Sequence, residues 1–413
     1  MGGVRRLTNW LKSKLGTMDD ESDYFRQMEW ALMIAGVQLP SENPSHHKWL
    51  FCYRVAILFQ CCIWCDRFFV ACTEWNSPAE LIGVFSFVLA LVMIISRVIL
   101  MRVYLKDILK VRSYLETILN KDLTEGRVRS YRLIRRIFLV LEWLFLCDQI
   151  ILYTFGVYEE RQYSVPDNIS RLGPRVKLVF DILICSNHIM LSSIYAAILT
   201  ILNTLIMGFS TELENVVFQC NGIFKRVDDQ MSSTVSLHAK MATSKFWNIF
   251  KTELNMVVTR HAEVIEQVAT VRTLLKISFL FIFYTEIVFI GCALFYVKML
   301  GLTMNTVVVV SYVTAILMEC YWFCRLTDIV NDTNHEIGCV LYNLNWPEKL
   351  CDIPNLRREY LEIRATILVI MTRAQKNLGI TCGGMFEMSA AAFHELMKMI
   401  YSCLMFLLSI TTH

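Results

Sequence analysis

ELIGVFSFVLALVMIISRVILM, residues 80–101, decides the class of fold. One acid stands at its start and one arginine, Arg97, near its end; everything between is apolar or small. A helix of about 20 such residues crosses the hydrocarbon of a bilayer. The stretch that follows, RVYLKDILKVRSYLETILNKDLTEGRVRSYRLIRR (102–136), carries 10 Lys and Arg in 35 residues. Basic residues crowd the cytosolic ends of membrane helices. The junction therefore reads as a span that enters the cytosol near residue 102.

Working outward, six further stretches are long and apolar: 49–72, 137–157, 178–208, 277–297, 304–324 and 390–410. The 49–72 stretch is the weakest, because Asp66 and Arg67 interrupt it. As neighbours they can neutralise each other near the outer interface, with Trp64 and Phe68 at headgroup depth. Composition agrees with this count. Of 413 residues, 55% are apolar and 19% charged, against roughly 45–50% and about 25% in soluble domains. The expected fold is an all-α membrane protein with seven transmembrane helices and an intracellular helical bundle. A net charge of +3 gives no footing for a nucleic-acid partner, which calls for a strongly basic face. Membrane lipid is the surrounding partner.

Charge distribution sets the orientation. Segments 1–48, 102–136, 209–276 and 325–389 hold 6, 10, 8 and 7 Lys and Arg, whereas 73–79, 158–177, 298–303 and 411–413 hold 0, 4, 1 and 0. Part of this imbalance is length, but the dense 102–136 segment is not. Residues 1–30 are amphipathic and charged, without the apolar core of a signal peptide. The N-terminus is expected in the cytosol and, after seven crossings, the C-terminus outside. Arg54 and Arg97 fall near inner helix ends, where such side chains can snorkel. The Asn168-Ile169-Ser170 sequon falls outside and Asn331-Asp332-Thr333 inside, where it should go unused.

The chain then divides into a cytosolic N-terminal segment (1–48), helices one to four (49–208), a cytosolic helical extension (209–276) and helices five and six (277–324). A second cytosolic segment (325–389) and a last helix (390–410) complete it. The fourth span continues as an apolar stripe through Phe209, Leu213, Val217, Cys220 and Phe224. Ahead of the fifth, Phe250, Leu254, Val257, His261, Val264, Val268, Val271 and Leu275 alternate steps of four and three, a seam that buries one helix face against other helices. Residues 226–243 are polar and Ser-rich and are expected to form a mobile loop. Residues 325–354 are expected to be irregular. An amphipathic helix follows at 355–373, with Leu356, Tyr360, Ile363, Ile367 and Ile370 on one side. Gly379, Gly383 and Gly384 break the chain before the last span.

Chemistry of other kinds has little support. The 15 cysteines are odd in number, none lies in the 158–177 loop, and free Cys packs as a small hydrophobe. Cys62-Ile63-Trp64-Cys65 has redox spacing within a membrane helix, without a thioredoxin-like context. Cys320 and Cys324 stand one turn apart with no acid or histidine spaced to complete a zinc site. There is no Walker loop, HExxH or GxSxG. Neither an enzyme nor a cofactor is expected.

The last 75 residues carry a resemblance. NLNWPEKL (343–350), RREYLEIRATILVIMTRAQKNLGITCGGMFEMS (357–389) and FHELMKMIYSCLMFLL (393–408) are similar to the signature of insect odorant receptors. The elements are Asn345-Trp346, the Arg373/Gln375/Lys376 group, Gly383-Gly384, Tyr401-Ser402 and Leu407-Leu408. The Thr-Tyr…Gln-Phe ending of insect taste receptors is absent, as are the Asp/Glu-Arg-Tyr and Asn-Pro-x-x-Tyr groups of G-protein-coupled receptors. The resemblance implies a subunit of an odorant-gated, non-selective cation channel in the plasma membrane of olfactory sensory neurons. A tuning subunit binds a small volatile odorant, and a shared co-receptor subunit completes a heterotetramer. Co-receptors carry a longer insertion before the fifth span than 209–276 allows, which favours the tuning role. A structural, co-receptor-like subunit and a metabotropic seven-helix receptor are the alternatives.

Site residues follow from both readings. In the last helix Glu395, Lys398, Ser402, Phe406 and Ser409 fall within about a quarter turn at 100° per residue. A lipid-facing Glu and Lys would be costly, and water in a pore removes the cost. A Glu395–Lys398 pair at the inner interface, without any pore, is the competing explanation. By the resemblance, Phe406 and Ile410 form the outer hydrophobic gate. The resemblance also implies a ligand pocket in the outer half of the membrane between helices two, three, four and six. The outer halves of those helices offer Phe85 and Phe87; Leu146, Gln149, Ile150 and Tyr153; Ile184, His188, Leu191 and Tyr195; and Val308, Ser311 and Tyr312. His188, Gln149, Tyr153 and Ser311 could orient a ligand by hydrogen bonds, or could equally be glue between helices. Asp148 and His188 are ionisable at membrane depth, and such groups rarely face lipid.

Overall fold

The structure, a computed structural model, describes residues 25–37, 44–73, 78–119, 125–155, 165, 169, 171–232, 239–349 and 357–411. Asn168 and Leu356 lie outside the described residues, as does the side chain of Ile410. The helices are α1 (Arg26–Ile34), α2 (Pro44–Thr73), α3 (Pro78–Val103), α4 (Leu105–Leu119), α5 (Glu125–Thr154), α6 (Pro174–Asn221) and α7 (Ile223–Ser232). They continue with α8 (Ala239–Leu300), α9 (Met304–Asn343), α10 (Trp346–Lys349), α11 (Arg357–Ala374) and, after a hairpin of β1 (Thr381–Cys382) and β2 (Phe386–Glu387), α12 (Ala390–Thr411). Seven of these, α2, α3, α5, α6, α8, α9 and α12, are long and apolar enough to cross a membrane.

Three spans run far past the bilayer. At 1.5 Å per residue, α6, α8 and α9 are about 72, 93 and 60 Å long, against hydrocarbon of about 30 Å. Two expectations are corrected here. The polar 226–243 stretch is helical through Ser232, because Ile223, Phe224 and Val227 bury one face of α7 while Asp228 and Asp229 take the solvent face. Residues 325–343 are not irregular but belong to α9, whose buried Leu326, Val330, Ile337 and Leu341 keep helical spacing.

Local chemistry explains the turns. Gly36 (φ 65°) ends α1, with Gly36 N–H bonded to Met33 O and Val37 N–H to Leu32 O. This pattern needs a left-handed residue, which glycine adopts without a Cβ clash. Between the fifth and sixth spans Gly301 (φ 72°) stops α8. Two residues on, Thr303 caps α9 in a reciprocal box with Thr306.

α6 is the central pillar and packs on α1, α3, α5, α8 and α9. Below the membrane region the α8 seam from Phe250 to Leu275 is buried within this one chain. On α11, Ile363, Ile367 and Ile370 are buried against α9 and α8. α9 also catches the chain on its way to the last span. Asn334 Nδ2 donates to Ala374 O (2.9 Å) and Lys376 O (3.0 Å), and Asn331 Oδ1 accepts from Leu378 N–H (3.0 Å). Asp328 Oδ2 accepts from Ala390 N–H (3.0 Å), one of the orphan donors that begin α12. Gly383 and Gly384 (φ 61° and 81°) turn the hairpin so that Gly383 N–H reaches Lys276 O at 3.0 Å. Lys376, Gly383 and Gly384 of the signature thus belong to the joint that docks the last helix onto α8 and α9.

Candidate functional site

Six spans line a cavity of about 140 Å³. α3 presents Gly83, Ser86, Phe87, Ala90 and Ile94 to it, spaced by threes and fours on one helix face. α5 presents Phe145, Gln149 and Leu152, and α6 presents His188, Leu191, Ser192 and Tyr195. Val308, Val309, Tyr312 and Ile316 come from α9. Two further contributors lie outside the four helices expected from the sequence: Trp64 of α2, and Phe289, Ala293 and Tyr296 of α8. Trp64 is only 4% exposed and stacks on Phe87 (4.9 Å) and His188 (6.0 Å). This aromatic stack buries it within the bundle.

The cavity gathers Phe87, Gln149, His188, Leu191, Tyr195, Val308 and Tyr312 from the expected set. The other expected residues lie off it for geometric reasons. Phe85 is exposed and meets Phe68 at 6.3 Å. Leu146, Ile150 and Tyr153 form the stripe next to the Phe145/Gln149/Leu152 face, about 100° further round α5. Leu146 borders a separate groove with Glu142 and Trp143, and Ile150 is exposed. Tyr153 and Ile184 line a small recess with Asp181 that shares Gln149, Leu152 and His188 with the main cavity. Ser311 is engaged beside the cavity, donating to Asp148 Oδ2 at 3.0 Å.

Under the cavity lies a charged cluster. Arg97 donates from Nη1 to Glu319 Oε1 (2.8 Å) and stands 3.4 Å from Glu286 Oε1. The Tyr195 hydroxyl, from the cavity wall, donates to Glu319 Oε2, and the Arg97 guanidinium sits 5.2 Å from the Tyr195 ring centroid. Arg97 is 1% exposed. It does not snorkel: two carboxylates inside the bundle hold it, and a charge buried in an apolar interior must be paired. Four spans, α3, α6, α8 and α9, meet at this one point.

α12 rests on α8 and α9 through Ala392, Leu396 and Ile400, all buried. At Gly291 of α8 the approach is close enough that a Cβ would lie 2.6 Å from Cys403 Sγ. Glu395, Lys398, Ser402, Phe406 and Ser409 are all exposed on the other side. Glu395 and Lys398 pair at 2.7 Å, while Ser402 and Ser409 hydroxyls donate to the backbone oxygens of Lys398 and Phe406. Tyr401 and Met405 are exposed as well, so the bare face is wider than the polar stripe.

The sequence matches the family described as 7tm Odorant receptor over residues 77–401. The chain belongs to that family. No individual curated protein matches it. Among solved structures it is similar to the insect olfactory receptor OR5 from Machilis hrabei in complex with eugenol. That likeness has 14% identity and a TM-score of 0.68, covering 94% of this chain and 100% of the other. A second structure of the same receptor gives 15% identity and a TM-score of 0.67 over the same shares. At such identity the likeness is one of fold.

In this odorant receptor the charged cluster leaves a mark in the sequence that the cavity's aromatic wall does not. Glu286 and Glu319 are acids inside the fifth and sixth apolar stretches, and Arg97 is a cation inside the second. Intramembrane charges of opposite sign are a signal to look for one another. Trp64 and Phe289 carried no such mark. Among the described residues no group of His, Cys, Asp and Glu is arranged to hold a metal ion, and the described cysteines are free.

Proposed function

We propose that this odorant receptor is the odorant-binding subunit of a ligand-gated, non-selective cation channel. It would act with a shared co-receptor subunit in a heterotetramer in the plasma membrane of olfactory sensory neurons. The observation that carries the reading is the contrast inside one chain between an apolar cavity among six spans and an uncovered last helix. The cavity among α2, α3, α5, α6, α8 and α9 suits a small volatile molecule, since ligand sites are concave, mostly apolar and sparsely polar. A solved structure of similar fold is a complex with eugenol, which supports assigning the cavity to an odorant. α12 leaves a Glu, a Lys and two Ser exposed in a membrane helix, a face suited to water and to other subunits. Phe406 would then supply an apolar constriction that blocks ions by dewetting. The basic-residue bias supports a cytosolic N-terminus and an extracellular C-terminus.

Odour-evoked current should appear when the chain is expressed with a co-receptor and be absent or weak without one. Equal current in both conditions would remove the tuning-subunit reading. A response that depends on G proteins would remove the channel reading. A co-receptor-like role is disfavoured because only residues 233–238 separate α7 from α8, leaving no room for a long insertion.

A further inference from the structure

We infer that the cavity selects a small, largely apolar molecule bearing one hydrogen-bonding oxygen, an alcohol or a carbonyl compound, and that His188 Nε2 is the atom that selects it. The inference rests on reading the cavity as the odorant site. Several polar groups on the wall already have partners. Gln149 Nε2 donates to Tyr312 Oη at 3.2 Å, and Ser86 Oγ donates to Ile82 O at 2.8 Å. The Tyr195 hydroxyl is committed to Glu319, and Tyr296 Oη accepts from Asn305 Nδ2 at 2.6 Å. Among the lining residues, His188 Nε2 is the buried side-chain polar atom that has no hydrogen-bond partner.

An unpaired buried nitrogen is unfavourable, so a ligand that pairs with it gains more than one that leaves it bare. The ring is also held in place. Trp64 stacks on it, and Phe87 stacks on Trp64, so Trp64 acts as a positioning residue. A hydroxyl serves either tautomer, since it both donates and accepts; a carbonyl serves the tautomer with hydrogen on Nε2. Charged ligands are disfavoured in the main cavity, with Asp181 bordering only the adjoining recess. No Lys, Arg, Asp or Glu lines the cavity, and the charges beneath it are engaged with one another. An ammonium or carboxylate would enter without a counter-ion, which an apolar site penalises heavily.

Two probe sets with shared carbon skeletons test this: ethylbenzene, phenylethanol and acetophenone, then octane, octanol and octanal. Binding is read on the purified full-length receptor as ligand-induced thermal stabilisation, and current is recorded separately in cells with a co-receptor. In the wild type, the oxygenated member of at least one set should bind about five- to tenfold more tightly than its hydrocarbon. His188→Leu should erase that difference, lowering the affinity of the oxygenated probe relative to its hydrocarbon. His188→Gln, which sets an amide near the position of Nε2, should retain part of it, and it decides the matter with the wild-type panel should His188→Leu fail to fold. An oxygen preference that survives His188→Leu, an equal loss for hydrocarbon and oxygenated probes, or no binding of any probe would each overturn the inference. Selective binding without current would keep it and sink the channel reading. Current without oxygen preference would do the reverse.

Discussion

α6 and α12 are both membrane-spanning helices, yet the chain treats them in opposite ways. Of the most apolar stretch of each, 78% is buried in α6 and 17% in α12. α6 is surrounded, and several of its polar side chains are paired inside the fold. Thr200 and Thr204 hydroxyls donate one turn back to the backbone, and Asn203 Oδ1 accepts from Trp322 Nε1 at 2.7 Å. Glu212, beyond the membrane, pairs with Arg260. α12 is fixed along a single stripe and shows Phe406, 63% exposed, with two serines and an ion pair on the other side. A helix closed on all sides is completed by folding. One left half bare and half polar is completed by water and other chains, which is why the pore is proposed there.

The sharpest way to break this contrast is at the cluster that ties α6 into the bundle. Arg97→Met leaves two buried carboxylates without their cation, an error that costs about 3–5 kcal/mol. Little receptor should reach the surface, and surface biotinylation measures it. Combining Arg97→Met with Glu286→Gln and Glu319→Gln should recover part of the yield, because the unpaired charge is gone. Wild-type surface levels for Arg97→Met alone would show that the cluster does not hold the spans together.

Next comes a matched pair of truncations. Leu202→Ala in α6 removes a fully buried side chain and should lower thermal stability by about 2–5 kcal/mol. Phe406→Ala in α12 should stay within about 0.5 kcal/mol, as surface substitutions do, yet raise leak current without ligand. Leu407→Ala, 100° further round, should leave the leak unchanged. Equal leak from Phe406→Ala and Leu407→Ala would remove the assigned face.

Gly291 sharpens the comparison where the two kinds of packing meet. Gly291→Val must push Cys403 away, an overpacking cost of about 1–3 kcal/mol. The expected result is normal assembly of the α2–α9 bundle, with preserved ligand-induced stabilisation, but altered gating. Loss of ligand binding as well would show that α12 is as integral to the cavity as α6.

The smallest effect belongs to the exposed tie between α8 and α11. The Lys251 ammonium, 2.7 Å from Glu362, holds that carboxyl below its ordinary range, and Arg358 adds to the effect. A carboxylate depressed on folding contributes stability above its unfolded pKa and loses it as pH falls through the folded value. Glu362→Gln should therefore melt slightly below wild type near neutral pH, and the gap should close on acidification and in high salt. A gap that persists under both conditions would assign the effect to packing.

The seven spans, the α8 seam and the buried face of α11 were legible because they are periodic and local: apolar length marks a span, and threes and fours mark a buried face. Phe87, His188 and Tyr195 were legible as cavity residues for the same reason, each lying on the inward face of its own helix. Phe85, Leu146, Ile150 and Tyr153 were not separable from them, since one residue along a helix turns a side chain by about 100°, and sequence does not fix that rotation against five neighbours. Arg97 invited a snorkelling reading because its partners, Glu286 and Glu319, lie 189 and 222 residues away in sequence.

By itself, then, the sequence determined what each segment is: a span, a seam, a turn at Gly301 or Gly383, a last helix with one polar stripe. Only the tertiary structure decided what those segments enclose. It brought Trp64 of α2 over His188 of α6, placed Arg97 between two acids, and left the Nε2 of a cavity-lining imidazole buried without a partner. The physical reason is that secondary structure and membrane partition follow from local periodicity and transfer energy, whereas a site is defined by the relative rotation and depth of packed helices. Those are fixed only when side chains far apart in the chain interlock.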